Sequence, residues 1–208
     1  MFNPAKRETI PGLVNYGATL LYQDMLDWCR GKNALVRIPL LIFFVYIGVR
    51  QFWDPMYTSI FGGINLGIHE GGHLLFRSLG QFICVAGGTF LQLFAPIASM
   101  VMFLKQRDYF AISVCFGWLS TNIMGVSVYM SDAEKMVLPL VTVGNHNGIV
   151  THDWRYLFSS LGLLNHCEAI GWLTRQSGNI SMLICIGLGG WLLWQMYKLP
   201  PPEKRVFI

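Results

Sequence analysis

Long apolar runs separated by short polar ones set the pattern of this chain. Runs at 34–52, 57–79, 82–104, 109–130 and 179–197 each hold enough consecutive apolar residues to cross about 30 Å of hydrocarbon as a helix. A sixth run, 154–173, is interrupted by Arg155, Asn165, His166 and Glu168 and reads as a crossing, a buried segment or a partial span. Before the first run, Leu13, Val14, Leu20, Leu21, Met25 and Trp28 recur at helical spacing after Pro11. That spacing predicts an amphipathic helix, lying in the membrane interface or packed on the bundle. The expected fold is therefore all-α: a polytopic membrane helix bundle of five to six transmembrane helices. Residues 1–33 form an interfacial segment, 34–199 the membrane domain, and 200–208 a short charged tail after the helix-stopping prolines.

Composition agrees. Of the 208 residues, 53% are hydrophobic and only 12% charged, which fits an integral, multi-pass membrane protein. No cleavable signal peptide is visible, since Lys6, Arg7, Glu8, Asp24, Asp27 and Arg30 interrupt the first 33 residues. With six crossings and a cytoplasmic N-terminus, the inside holds Lys6, Arg7, Arg30, Lys32, Arg37, Arg77, Lys135, Arg155, Lys198, Lys204 and Arg205. The outside then holds Arg50, Lys105, Arg107 and Arg175, and eleven against four favours that orientation. If 154–173 does not cross, the last three basic residues change sides and the bias nearly vanishes. The net charge of +4 needs no nucleic-acid partner. Cys29, Cys84, Cys115, Cys167 and Cys185 are scattered without a Cys-x-x-Cys pair, so they read as buried apolar residues or free thiols.

The second apolar run contains His69-Glu70-Gly71-Gly72-His73. In a helix His69 and His73 stand one turn and about 40° apart, so both imidazoles can ligate one metal, while Glu70 lies about 100° from His69, within reach of a metal-bound water. Ionisable side chains cost a few kcal/mol inside a bilayer unless paired, hydrated or metal-bound. A hydrogen-bonded polar knot between helices is the plainer alternative. The same run carries a Gly63-x-x-x-Gly67-x-x-x-Gly71 stripe about 140° from the histidines, placed for close packing of a neighbouring helix.

A catalytic zinc takes three protein ligands and keeps an open position for water. The remaining histidines are His146, His152 and His166, and the downstream acids are Asp108, Asp132, Glu134, Asp153, Glu168 and Glu203. The stretch 144–154 is the richest, joining His146, His152 and Asp153 to turn-forming Gly and Asn. Thr151 is positioned there as an N-cap, which puts His152 and Asp153 in the first turn of the next helix.

The motif His69-Glu70-Gly71-Gly72-His73 resembles the His-Glu-x-Gly-His motif of site-2-protease-like intramembrane zinc metalloproteases. Asp153 in Thr-His-Asp-Trp is similar to the downstream aspartate that supplies their third ligand. The resemblance covers about 57–173 and implies Zn2+ held by His69, His73 and Asp153, with Glu70 as general base. It further implies cleavage of a membrane protein or membrane-proximal peptide segment. The usual Asn-Pro-Asp-Gly or Leu-Asp-Gly setting of the aspartate is absent here, which leaves His152 as an alternative ligand or a hydrogen-bonding neighbour, and Glu168 as another alternative.

Zinc lowers the pKa of its water to about 7, Glu70 takes the proton, and a polarised peptide carbonyl is attacked. A helical substrate must first unwind or offer an extended segment. Residues 81–89, with Gly87 and Gly88, read either as an extended edge for such a segment or as the start of the third span. Gln92, Asn122 and Asn145 are candidates to stabilise the oxyanion or to bond helix to helix. The rival functions are a non-catalytic zinc-binding scaffold or regulator and, less favoured, a metal or proton transporter. The first, fourth and last runs lack the repeated polar residues of a transport path.

Overall fold

In a computed structural model the described residues are 11–138 and 152–200, with side chains from residue 17 onward. Among them are seven α-helices: α1 (Pro11–Cys29), α2 (Ile38–Trp53), α3 (Gly62–Phe76), α4 (Gln81–Lys105), α5 (Tyr109–Ser131), α6 (Asp153–Leu161) and α7 (Cys167–Lys198). Short 3-10 turns at Arg77–Leu79 and Leu164–His166 precede α4 and α7. The protein is all-α. Three stretches, Gln81–Lys105, Tyr109–Ser131 and Leu164–Lys198, are long and apolar enough to cross a membrane. The Leu13 and Val14 side chains, Lys6, Arg7, Asn145, His146, Thr151, Glu203, Lys204 and Arg205 lie outside the described residues.

The helix ends follow from local chemistry. Asp108 caps α5 by accepting from the Ala111 N–H at 3.1 Å. Gly80, at φ 90°, turns the chain from the 3-10 turn into α4, and Gly162, at φ 69°, ends α6 in the left-handed region. That second glycine corrects the reading of 154–173 as one segment: α6 has nine residues, about 14 Å, and the rest joins the 32-residue α7.

Contacts fix the direction of each helix. We call the end near α1 proximal and the other distal. Leu192 and Met196 of α7 share a cluster with Cys29 of α1 and with Tyr109 and Phe110 of α5 at the proximal end. Ala133 meets Cys167 at the distal end, so α5 and α7 are antiparallel. The start of α2 lies proximally, with Leu41 against Gly189, and its end distally, where Arg175 donates to the Gln51 carbonyl at 2.9 Å. After α2 the chain doubles back: Tyr57 packs on Tyr46 and Phe61 stacks on Phe44. Helix α3 therefore starts midway along the bundle, where the Asn65 amide donates to Thr121 at 3.3 Å, and runs distally alongside α4.

This arrangement corrects two expectations. The 57–79 run is a returning segment plus a 15-residue helix, about 22 Å long, and not one continuous span. The basic residues also regroup. Arg30, Lys32, Arg37, Lys105, Arg107 and Lys198 share the proximal end, whereas Arg50, Arg77, Lys135, Arg155 and Arg175 lie towards the distal end. The predicted separation of Arg37 from Lys105, and of Arg50 from Arg77, does not hold.

Helix α1 packs on the proximal end. Met25, Trp28 and Cys29 face the bundle while Leu20 and Leu21 stay exposed. Asp24 is ion-paired with Arg107 and accepts from the Tyr109 hydroxyl. All five cysteines are free.

Candidate metal centre

Helix α3 presents His69 and His73 on one face, their rings 4.7 Å apart and nearly perpendicular. That face lies against α4 because two glycines let the backbones meet. A Cβ on Gly72 would sit 2.2 Å from the Gly87 carbonyl oxygen, and one on Gly88 would sit 2.7 Å from His73 and 2.8 Å from His69. Each imidazole is then held from behind. The Nδ1 of His69 lies 3.0 Å from Gln92 Oε1, and the Nδ1 of His73 lies 2.9 Å from the Cys84 carbonyl oxygen. A carbonyl only accepts, so Nδ1 of His73 carries the proton and, in the neutral ring, Nε2 presents its lone pair.

Both Nε2 atoms point at one carboxylate. Asp153 Oδ2 is 2.9 Å from His69 Nε2 and 3.2 Å from His73 Nε2, with side-chain exposures of 13%, 10% and 23% for the three residues in that order. Two lone pairs and a carboxylate oxygen repel one another in a site this shielded unless a positive charge lies between them. The donor set fits zinc: two imidazoles and a carboxylate, each histidine backed by an acceptor at its other nitrogen, with spacings near the about 3.3 Å expected of tetrahedral ligands on about 2.0 Å bonds. His69, His73 and Asp153 form a group that could hold a metal ion, their ligand atoms lying within 4.8 Å of one another.

Asp153 arrives on α6, and the local sequence explains how. The cap of α6 is His152, one residue later than the Thr151 expectation, with its Nδ1 accepting from the Arg155 N–H at 3.2 Å. His152 therefore spends its Nδ1 on the helix start and stands outside the group formed by His69, His73 and Asp153. Its ring is buried, which pushes its pKa below the ordinary histidine value, and its Nε2 faces Asp132 at 3.6 Å. The Asp153 N–H donates to the Tyr129 hydroxyl at 3.1 Å, and the Tyr129 ring lies 4.2 Å from that of His152. Arg155 donates to the Glu134 carbonyl at 3.0 Å. Together these contacts dock the start of α6 on the end of α5.

The other candidates fall elsewhere. Glu168 pairs with Lys135 at 2.7 Å on an exposed face and is not among the residues gathered with His69 and His73. Asn122 donates to the Trp118 carbonyl of its own helix at 3.0 Å, and Gln92 meets His69 across the α3–α4 contact, the helix-to-helix bond that was its other expected role. Residues 81–89 are the first turns of α4 and not an extended edge. The Gly63-Gly67-Gly71 stripe is not the packing seam: a Cβ at Gly63 or Gly67 meets nothing within 4 Å, and the close approach uses Gly72 with Gly87 and Gly88. Glu70, half-buried on α3, makes no hydrogen bond or ion pair among the described residues.

Sequence reasoning missed Tyr129, counted Asp132 only among the downstream acids, and left Gln92 between oxyanion stabilisation and helix-to-helix bonding, of which the structure shows the second, to His69. An amide alone in an apolar run was the available signal for Gln92. Nothing in the local pattern marked Tyr129. No family model, curated protein or solved structure matches the chain.

Proposed function

We propose that this chain is a membrane-embedded zinc metalloendopeptidase of the site-2-protease-like kind, acting on membrane or membrane-proximal protein segments. The observation that carries the reading is the meeting of Asp153 with His69 and His73 across 84 positions of sequence. A bound zinc supplies Lewis acidity for a peptide carbonyl and lowers the pKa of water to about 7. His69, His73 and Asp153 would hold it, with Gln92 and the Cys84 carbonyl orienting the two imidazoles. Glu70, next to His69 and without a competing partner among the described residues, accepts a proton from water and returns it to the leaving amine. The α3–α4 face excludes lipid from the histidines, and an extended or unwound substrate segment leaves its carbonyls open to attack.

In a bilayer, α2, α4, α5 and α7 make four crossings and α3 is a fifth, re-entrant membrane helix that opens to the distal side. Both ends of the chain then lie on one side. Adding Lys6, Arg7, Lys204 and Arg205, which no span separates from the proximal residues, puts ten of fifteen basic residues there. That bias makes the N-terminus cytoplasmic and places the metal centre in the opposite half of the membrane. Cysteines introduced beside Arg37 and Lys105 should be labelled from the same side; labelling from opposite sides overturns this topology.

The decisive experiment is metal analysis of purified protein paired with Glu70→Gln. The amide keeps the shape of the side chain and loses its basicity, so zinc is retained while cleavage of a membrane substrate stops. A variant that cleaves at near the wild-type rate ends the assignment of Glu70. Stoichiometric zinc in a wild-type protein that cleaves nothing ends the protease reading in favour of a zinc-binding regulator.

A further inference from the structure

At the proximal end, far from the histidines, the start of α2 and the last turns of α7 enclose a groove of roughly 550 Å³. Its walls are Leu35, Ile38, Leu193, Trp194 and Tyr197, and its floor is Gly190, where a Cβ would meet nothing within 4 Å. From Gly190 to Tyr197 the groove follows α7 for about 10 Å, the length of a good part of an acyl chain. Trp194 and Tyr197 are 59% and 81% exposed, as residues of an aromatic belt at a membrane boundary are.

The mouth is cationic. Lys32 is the one charged residue among the described residues lining the groove, and its Nζ is steadied 4.7 Å above the Trp28 ring. It has no ion-pair partner among the described residues. The acids nearby are engaged: Asp27 pairs with Arg30 at 3.3 Å, Asp24 pairs with Arg107, and Asp108 caps α5. An apolar trough about half a leaflet long, closed at its interfacial end by an uncompensated ammonium, matches a ligand with a hydrocarbon tail and an anionic head.

We propose that this groove is a binding site for an anionic phospholipid, its phosphate on Lys32 and one acyl chain laid over Gly190 between Ile38 and Leu193. Charge decides the occupant. A zwitterionic lipid fills the trough equally well but brings no net negative charge to the mouth.

The test is native mass spectrometry of the full chain, purified in detergent and supplied with phosphatidylglycerol or phosphatidylcholine of matched chains. Wild type should retain phosphatidylglycerol in about fivefold preference, the effect of one basic residue near an anionic lipid surface. Lys32→Gln should abolish the preference while still binding both lipids. Gly190→Leu should lower retention of both by filling the floor. Glycerol phosphate, which has the head and no tail, should not bind. Equal retention of the two lipids by wild type, a preference that survives Lys32→Gln, or glycerol phosphate binding as tightly as the lipid each overturns the proposal. Because the readout is lipid mass, the result does not depend on whether the metal centre is catalytic.

Discussion

Helix pairs α5–α7 and α3–α4 both bring backbones close through small residues, but they use that closeness differently. Along α5–α7, Ser120 donates to the Gly178 carbonyl at 2.8 Å and Ser181 to the Phe116 carbonyl at 2.7 Å, while Gly117 makes room for Phe44 and Cys185. Every serine hydroxyl of the two helices is satisfied within the pair. Along α3–α4 the glycines admit two imidazoles whose Nδ1 atoms face acceptors and whose Nε2 atoms converge on Asp153, in a group that could hold a metal ion. The first seam closes on itself by packing; the second gathers three ligand atoms that could hold a metal ion.

Three changes bear on that contrast. The largest effect should come from the ligands themselves. His69→Ala, His73→Ala and Asp153→Ala should each lose most of the zinc and all cleavage, read by metal content and a cleavage assay. Glu168→Ala, on an exposed pair away from the site, should change neither. On the other seam Ser120→Ala should cost only about 1 kcal/mol of stability and leave metal content alone. If metal content follows Ser120 or Glu168 instead, the two seams are not separable.

Next in size are the glycines. Gly72→Ala drives a Cβ into the Gly87 carbonyl, a backbone atom that cannot swing aside, and should cost about 1–3 kcal/mol or more along with zinc affinity. Gly67→Ala has open space and should leave the thermal midpoint unchanged or slightly higher. Thermal denaturation in detergent separates them, and equal midpoints for the two variants would contradict the seam assigned here.

The smallest expected effect is at Tyr129. Phenylalanine keeps the ring against His152 but removes the oxygen that accepts from the Asp153 N–H. Zinc affinity should weaken by about 10- to 100-fold, as for other groups that orient a ligand from behind. A competition titration measures it. An unchanged affinity would mean that the cap by His152 positions Asp153 without help.

How much of this was legible in the sequence depended on distance along the chain. His69, Glu70 and His73 are within one helical turn, and periodicity alone places the two imidazoles together. The three long apolar helices were equally plain from run length. Asp153 needed the family resemblance, because no local pattern connects it to His69, and the structure places it beside both histidines. The doubled-back path into α3 was not legible: 57–79 is apolar throughout, and hydropathy cannot distinguish a full crossing from a returning segment that packs Tyr57 on Tyr46. Since the charge count rested on alternating crossings, that one misread run moved Arg77, Lys105, Arg107, Lys135 and Arg155 to the wrong ends. The glycine seam failed for a related reason. Three glycines at four-residue spacing are a visible stripe, whereas Gly72, Gly87 and Gly88 matter through a partner helix and form no pattern within one.

The contacts of the metal centre also differ in how far apart their members lie along the chain. His73 meets Cys84 across 11 residues and His69 meets Gln92 across 23, so both belong to a single hairpin. Asp153 comes from 84 residues away, after α5 and the connecting segment. Contacts of short range close early in folding, and those of long range close late. During synthesis the hairpin can orient both imidazoles as soon as α4 is in place, while the carboxylate does not yet exist on the growing chain. Assembly of the site is therefore timed by chain length: a nascent protein carries two of the three converging side chains throughout the synthesis of α5, and gains the third only when α6 emerges and docks.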